Sequence, residues 1–207
     1  VQFGTKSPCP QTLTVKQQNK KMKILLATDI FGKTESVSEI QNDLSEIYQE
    51  IEVIDPYNGK TIQFESEEEA YSRFSEVCGL RKFSEKLEET LKMQIAPVDV
   101  VGFSVGATAT WEMTSKKISQ KIRHAICFYG SRIREKTNIT PNCPTTLIFP
   151  NHEKGFDLEI VIKEIEKKNN IEIIRSNYDH GFMNKCSVNY SVEAYKKYVK
   201  TIKEKAA

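Results

Sequence analysis

The chain has 207 residues, 39% of them hydrophobic and 28% charged, with 9 Gly and 7 Pro. That is one domain of ordinary size with material for a real core, and it excludes disordered, collagen-like and low-complexity architectures. The net charge is +2, but residues 1–23 hold five Lys and no acid, so the body of the chain is slightly acidic; with no basic stripe interleaved with aromatics, the charge argues against nucleic acid as a partner.

Residues 1–21 are polar and without periodicity, and read as a flexible tail or an upstream extension, with Met22 as a candidate natural start and 22–207 as a single domain. The longest aliphatic run, Ile24-Leu25-Leu26-Ala27, is far too short to span a membrane, and the first 22 residues hold no apolar stretch of a secretory signal. The five cysteines are odd in number and none forms a C-x-x-C. Reduced thiols in a cytoplasmic protein are expected, with neither a disulfide framework nor a zinc site.

From Met22 onward, short apolar runs alternate with amphipathic stretches. Ile24 to Ala27 reads as a buried strand, and Ser36 with Glu39 as a capping box for a helix running to about Tyr48. Ile51 to Ile54 is the next strand, stopped by Asp55-Pro56-Tyr57-Asn58-Gly59. Glu65, Glu67, Glu68 and Glu69 open a helix that turns Ala70, Phe74 and Val77 inward, since acids suit a helix N-terminus. A second helix follows with Leu87, Leu91 and Ile95 on one face. Val98 to Phe103 is a strand and 105–118 a helix; Ile122 to Tyr129 and Thr145 to Phe149 are further strands. Leu158, Val161, Ile162 and Ile165 mark a helix, Ile171 to Ile174 the last strand, and Val192, Tyr195, Val199 and Ile202 the final helix with its lysines outside. This alternation predicts an α/β fold, a parallel sheet covered on both faces.

One motif carries chemistry. Gly102-Phe103-Ser104-Val105-Gly106 is a G-x-S-x-G between a predicted strand and a predicted helix. A nucleophile on a sharp strand-to-helix turn needs glycines so that neighbouring backbone can pass closely, and the N–H groups that follow favour a negative oxygen. A serine also needs a base. Of three histidines, His124 lies inside a strand and reads as structural, and His152 lies just past a strand beside Glu153. His180 lies after the last strand, on the same carboxyl edge as Ser104, and is the best base. The orienting acid should follow the strand between them. Glu153 and Asp157 are both available there; Glu153 is favoured as nearer the strand end, and Asp157 could instead cap the next helix. Asp179 is a weaker third candidate.

Three segments together resemble the dienelactone hydrolase family of the α/β-hydrolases: Asp29-Ile30-Phe31-Gly32 after the first strand, the Gly102 to Gly106 elbow, and His180-Gly181-Phe182. The resemblance runs from about Met22 to the C-terminus. It implies an α/β-hydrolase fold with helices on both faces of a mostly parallel sheet, minimal if the first antiparallel strands are missing. It implies Ser104 as nucleophile, His180 as base and Glu153 at the acid position, with the N–H groups of Ile30 and Val105 as oxyanion hole. The chain departs from the family's namesake in having Ser for Cys, Glu where Asp is usual, and Asn184 where an Arg holds a substrate carboxylate. That argues for a general esterase rather than one for anionic dienelactones. Arg81 could reach a carboxylate, but Arg81-Lys82 reads as the start of an exposed helix.

The expected activity is cleavage of a small ester, thioester or lactone through an acyl-enzyme, with a small-molecule substrate as partner and no metal or organic cofactor. A nucleotide site is unsupported, as there is neither G-x-G-x-x-G nor G-x-x-x-x-G-K-[ST]. A metal site of His152, Glu153, Asp157 and His180 fits no named spacing. The alternative reading is a catalytically inactive hydrolase-like binding scaffold, since a fold does not fix a function. Cys127 and Trp111 read as core.

Overall fold

The structure, a computed structural model, describes residues 22–206, so the expected tail over 1–21 lies outside the described residues. Six strands form one sheet: β1 Lys23–Ala27, β2 Glu50–Ile54, β3 Val98–Phe103, β4 Ile122–Phe128, β5 Thr145–Phe149 and β6 Ile171–Arg175. Their order is β2-β1-β3-β4-β5-β6 and every pairing is parallel. The helices are α1 Glu35–Leu44, α2 Glu67–Val77, α3 Gly79–Lys92, α4 Val105–Ser115, α5 Leu158–Ile165 and α6 Val192–Lys205. Among the described residues no helix is long and apolar enough to cross a membrane.

The two-residue period of a strand sends alternate side chains to opposite faces. Ile24 and Leu26 of β1, Val101 and Phe103 of β3, and Ile126 and Phe128 of β4 pack beneath α1 and α6. Leu25, Ala27, Val98, Val100 and Ala125 face the other way, against α2, α3 and α4. Cys127 and Leu147 meet Trp111 of α4 and the inner face of α5. Trp111 is core, its Nε1–H donating to Lys136 O at 3.0 Å. The chain crosses from β1 outward to β2 and then back to β3 on β1's other side. The loops leaving β1 and β3 therefore diverge at the carboxyl edge, where an open α/β sheet forms its crevice.

Local predictions fail where tertiary contacts claim the residue. The box of Ser36 and Glu39 does not form. Thr34 is the N-cap, and Ser36 lies inside α1, where its Oγ accepts the Lys185 N–H at 2.8 Å. Glu39 pairs instead with the Lys185 ammonium. The helix stops at Leu44 and not near Tyr48, whose hydroxyl donates to buried Asp99 of β3 at 2.6 Å. Arg123 binds the same carboxylate. A working cap sits at Ser66, whose side chain accepts Glu69 N–H. Val77 is only half-buried. Ile95 falls beyond the end of α3 and is 99% exposed, because the helix ends at Lys92 before reaching it. The helix expected over 105–118 ends at Ser115 and gives way to a 3-10 turn, Lys117–Lys121. β4 stops one residue short of Tyr129, which has a φ of +41°. His124 is structural, its Nε2 2.9 Å from Thr146 Oγ1, and burial pushes its pKa down.

Among the described glycines, Gly106 is the most tightly approached. A Cβ there would lie 2.2 Å from Ala27 O and 2.5 Å from Thr28 O, both backbone. Gly106→Ala should destabilise the domain by about 3 kcal/mol, which for a chain of this length lowers Tm by roughly 6–12 °C. An unchanged thermal transition would contradict that packing.

Candidate active site

Ser104 sits at the junction of β3 and α4 with φ +51° and ψ −110°. This conformation is strained for a residue with a Cβ. It is held from both sides: Ser104 N–H donates to Phe128 O at 2.9 Å, and Ser104 O accepts Thr108 N–H at 3.1 Å. The flanking glycines have steric reasons. A Cβ at Gly102 would lie 2.4 Å from Gly106 O, and Gly106 is pressed on the end of β1. The hydroxyl is thereby lifted above the sheet edge.

His180 arrives on the loop between β6 and α6. Gly181, at φ +90°, makes the turn, and a Cβ there would lie 2.3 Å from Ser187 Oγ. Phe182 is fully buried against Phe128, Tyr129 and Tyr198, which anchors the loop. The Tyr129 ring lies 4.9 Å from the imidazole. His180 Nε2 is 3.1 Å from Ser104 Oγ, and its Nδ1 is 2.9 Å from Glu153 Oε1. Glu153 stands on the loop after β5. That loop is tied to the one after β6 by Asn151 N–H donating to Tyr178 O at 2.7 Å.

The other acids are engaged elsewhere. Asp157 caps α5, its Oδ1 accepting Glu159 N–H at 2.9 Å. Asp179 pairs with His152 Nδ1 at 2.9 Å on the exposed rim. Among the described residues no group of three or more His, Cys, Asp or Glu is arranged to hold a metal ion. Arg81 lies on the exposed face of α3 paired with Glu85, and does not line the cleft beside Ser104.

The cleft has a volume of ≈ 590 Å³ and is lined by Ser104, Val105, Ile30, Tyr71, Phe156 and His180 among others. Neither Ile30 N–H nor Val105 N–H donates to a protein acceptor among the described residues. The loop that carries Ile30 is rigidly tied. Asp29 Oδ1 accepts Phe31 N–H at 3.0 Å, and Asp29 O accepts Gly32 N–H at 3.2 Å. Tyr57 Oη donates to Ile30 O at 2.6 Å, and the Tyr57 ring lies so close to Gly32 that a Cβ would meet it at 2.6 Å. Asp29 Oδ2 in turn accepts Asn184 Nδ2–H at 2.7 Å. Burial pushes the Asp29 carboxyl up to about 6, against the Asn184 and Phe31 hydrogen bonds, which favour its charged form.

Asn184 thus occupies, as a neutral amide beneath the site, the position where the resemblance implied a substrate-holding Arg. Tyr57 and Tyr129 were not singled out by sequence. Tyr57 sits in a turn pentapeptide that signals only a chain reversal, and nothing marks Tyr129 beyond its place before Gly130 at a strand end.

The sequence pattern of the dienelactone hydrolase family matches residues 11–206. The chain belongs to the dienelactone hydrolase family. An uncharacterized Bacillus subtilis protein, YczH, is 33% identical over 143 residues, 68% of this chain and 69% of that one. A Klebsiella pneumoniae protein assigned as a dienelactone hydrolase has the same fold, with a TM-score of 0.72 at 14% identity, covering 92% of this chain and 89% of that one. The dienelactone hydrolase of Anabaena variabilis matches with a TM-score of 0.62 at 13% identity, over 90% and 86% of the two chains. The fold is that of the α/β-hydrolases, and the family is one of hydrolases.

The buried Asp29 carboxyl gives a pH signature. It titrates near 6 when folded, against an ordinary 3.8, so the folded chain holds an extra proton between those values. Its contribution to stability is present below pH 4 and is lost as pH rises through 6. Asp29→Asn should flatten the stability profile over that window by about 3 kcal/mol relative to wild type. Urea unfolding at a series of pH values checks this; parallel profiles for the two proteins would refute it.

Proposed function

We propose that the protein is a serine hydrolase that cleaves a small ester, thioester or lactone through an acyl-enzyme. The observation that carries this reading is the chain of two contacts running from Ser104 Oγ through His180 to Glu153, at 3.1 and 2.9 Å. In this reading His180 Nε2 takes the Ser104 proton as Oγ bonds to the substrate carbonyl carbon. Negative charge develops on the carbonyl oxygen, and the N–H groups of Ile30 and Val105, the second at a helix N-terminus, are the donors that receive it. The intermediate collapses, the bond to the leaving oxygen or sulfur breaks, and His180 gives that atom its proton. Water then loses a proton to His180, attacks the acyl carbon and releases the acid, and the proton returns to Ser104. Glu153 holds the Nδ1–H tautomer and supports the imidazolium that forms in both halves.

The geometry also supports a division of labour around the oxyanion hole. Tyr57 fixes the carbonyl of Ile30, and with it the loop whose N–H meets the developing charge. It is a positioning residue, remote from the substrate.

Hydrolysis of p-nitrophenyl acetate tests the reading. Wild type should turn over and be labelled at Ser104 by a serine-directed phosphonate, and Ser104→Ala should lose at least about 10³-fold in kcat. Equal inactivity of the two, with no labelling, would leave the inactive scaffold as the better description. Tyr57→Phe removes one hydrogen bond and should lower kcat roughly 5- to 30-fold with KM little changed. A change confined to KM would assign Tyr57 to substrate binding instead.

A further inference from the structure

A second crevice, of ≈ 560 Å³, opens beside the catalytic cleft, between the start of α3, the outer half of α4 and the 3-10 turn Ser131–Lys136. Arg132 lines both cavities. The two also share a track. Ser104 and Thr108 line the catalytic cleft, and Glu112 and Lys116 line the second crevice. Ser104 and Lys116 are the two caps of α4, with Thr108 and Glu112 between them, so the helix runs from one cavity to the other. At the rise of an α-helix, Glu112 and Lys116 lie about 12 and 18 Å from the serine along the axis.

The crevice is built for an anion. Cys78, the N-cap of α3, makes no side-chain hydrogen bond to the first turn, and that turn holds no acid. The leading N–H groups of the helix, at Gly79, Leu80 and Arg81, therefore present the positive end of its dipole to the crevice. Gly79 has a φ of +64°, and a Cβ on it would meet nothing within 4 Å, so the space over this turn is open. One turn further on, Ser84 lines the crevice while only 5% exposed, and its Oγ has no hydrogen-bond partner among the described residues. A buried hydroxyl without a partner is rare in folded proteins, and this one belongs to a residue of the crevice wall.

The cations outnumber the acids. Arg81, Lys82, Lys116, Arg132 and Lys136 line the crevice, against Glu85 and Glu112. Arg81 is paired with Glu85, Lys116 with Glu88, Arg132 with Glu135 and Lys136 with Glu112. These pairs hold four of the cationic groups in place over the walls. Lys82 makes no ion pair among the described residues and is the uncommitted charge. Helix N–H groups, a serine hydroxyl, a lysine and a planar guanidinium together match the several acceptor oxygens and double charge of a phosphate monoester.

We propose that this crevice binds a phosphate group at the far end of the substrate, so that the enzyme acts on an ester or thioester whose phosphate lies roughly 12–18 Å from the scissile carbonyl. The catalytic half of this proposal rests on the serine-hydrolase reading above; the binding half does not.

Two measurements test the halves separately. Inorganic phosphate is titrated into Ser104→Ala protein by calorimetry, where no turnover intervenes. Saturable binding is expected, weakened at least fivefold by Lys82→Glu and retained in Lys82→Arg; no binding overturns the site whatever the enzyme does. The second measurement compares KM for S-acetyl phosphopantetheine and for S-acetyl pantetheine, a matched pair with and without the phosphate at the end of a long arm. A KM at least tenfold lower for the phosphorylated thioester, with the ratio falling towards one in Lys82→Glu, supports the proposal. Equal KM values in wild type, even with free phosphate bound, overturn it and leave the crevice a site for free anion only. If neither thioester nor p-nitrophenyl acetate is cleaved, the serine-hydrolase reading fails, and the proposed substrate class with it; phosphate binding by Ser104→Ala then reports on the crevice alone.

Discussion

The structure depends on a backbone contact that contains no side chain. Gly106 lies against the carbonyls of Ala27 and Thr28, and that contact sets α4 on the end of β1. Because the elbow and the first strand touch there, the loop bearing Ile30 and the turn bearing Ser104 face each other across one small space. Close packing makes this placement steep: displacing α4 by the width of a methyl group would move the serine and Val105 N–H away from Ile30 N–H together. The strain at Ser104 persists because a strand on one side and a helix on the other over-determine it, through Phe128 O and the Thr108 N–H.

Around that contact the site is assembled from loops held in tension with one another. Tyr57 reaches from the end of β2 to the carbonyl of Ile30. Asn184 reaches from the loop after β6 to Asp29. The loop after β5 is tied to the loop after β6 through Asn151 and Tyr178, and so Glu153 meets His180. Tyr57, Asn184, Asn151 and Tyr178 do not line the cleft, yet their bonds hold the loops that do. Asp29 shows the energetic side of such support: a carboxyl accepted into the interior because a turn N–H and an amide are already aimed at it.

The sheet was legible because its strands are short apolar runs, fully buried in β3 and β5 and part-buried in the edge strands β2 and β6, and every such run became a strand within a residue or two. The elbow and the histidine loop were legible because glycines at fixed spacing reflect backbone approach, a demand that no other residue meets. Glu153 and Asp157 could be ranked from distance to the strand end, but only the three-dimensional path of the loop brings Glu153 to His180 and turns Asp157 to α5. What escaped was whatever depends on partners remote in sequence. Ser36 looks like a cap until Lys185 claims its oxygen, and Ile95 keeps helical spacing after the helix has ended. Tyr57 looks like a turn residue, and its hydroxyl has meaning only through a carbonyl 27 positions away.

Those separations have a consequence for how the chain matures. Ser104 and His180 are 76 positions apart, and Asp29 and Asn184 are 155 apart. A parallel sheet must close such long loops before its contacts stabilise it, which makes it slow to form. His180 is carried on the last loop, anchored by Phe182 against a core that α6 completes. A chain in which that loop has not docked can therefore expose the Ser104 hydroxyl but cannot set His180 beside it. The contact between them waits on the docking of the loop after β6, and so it reports that this loop has reached its native place.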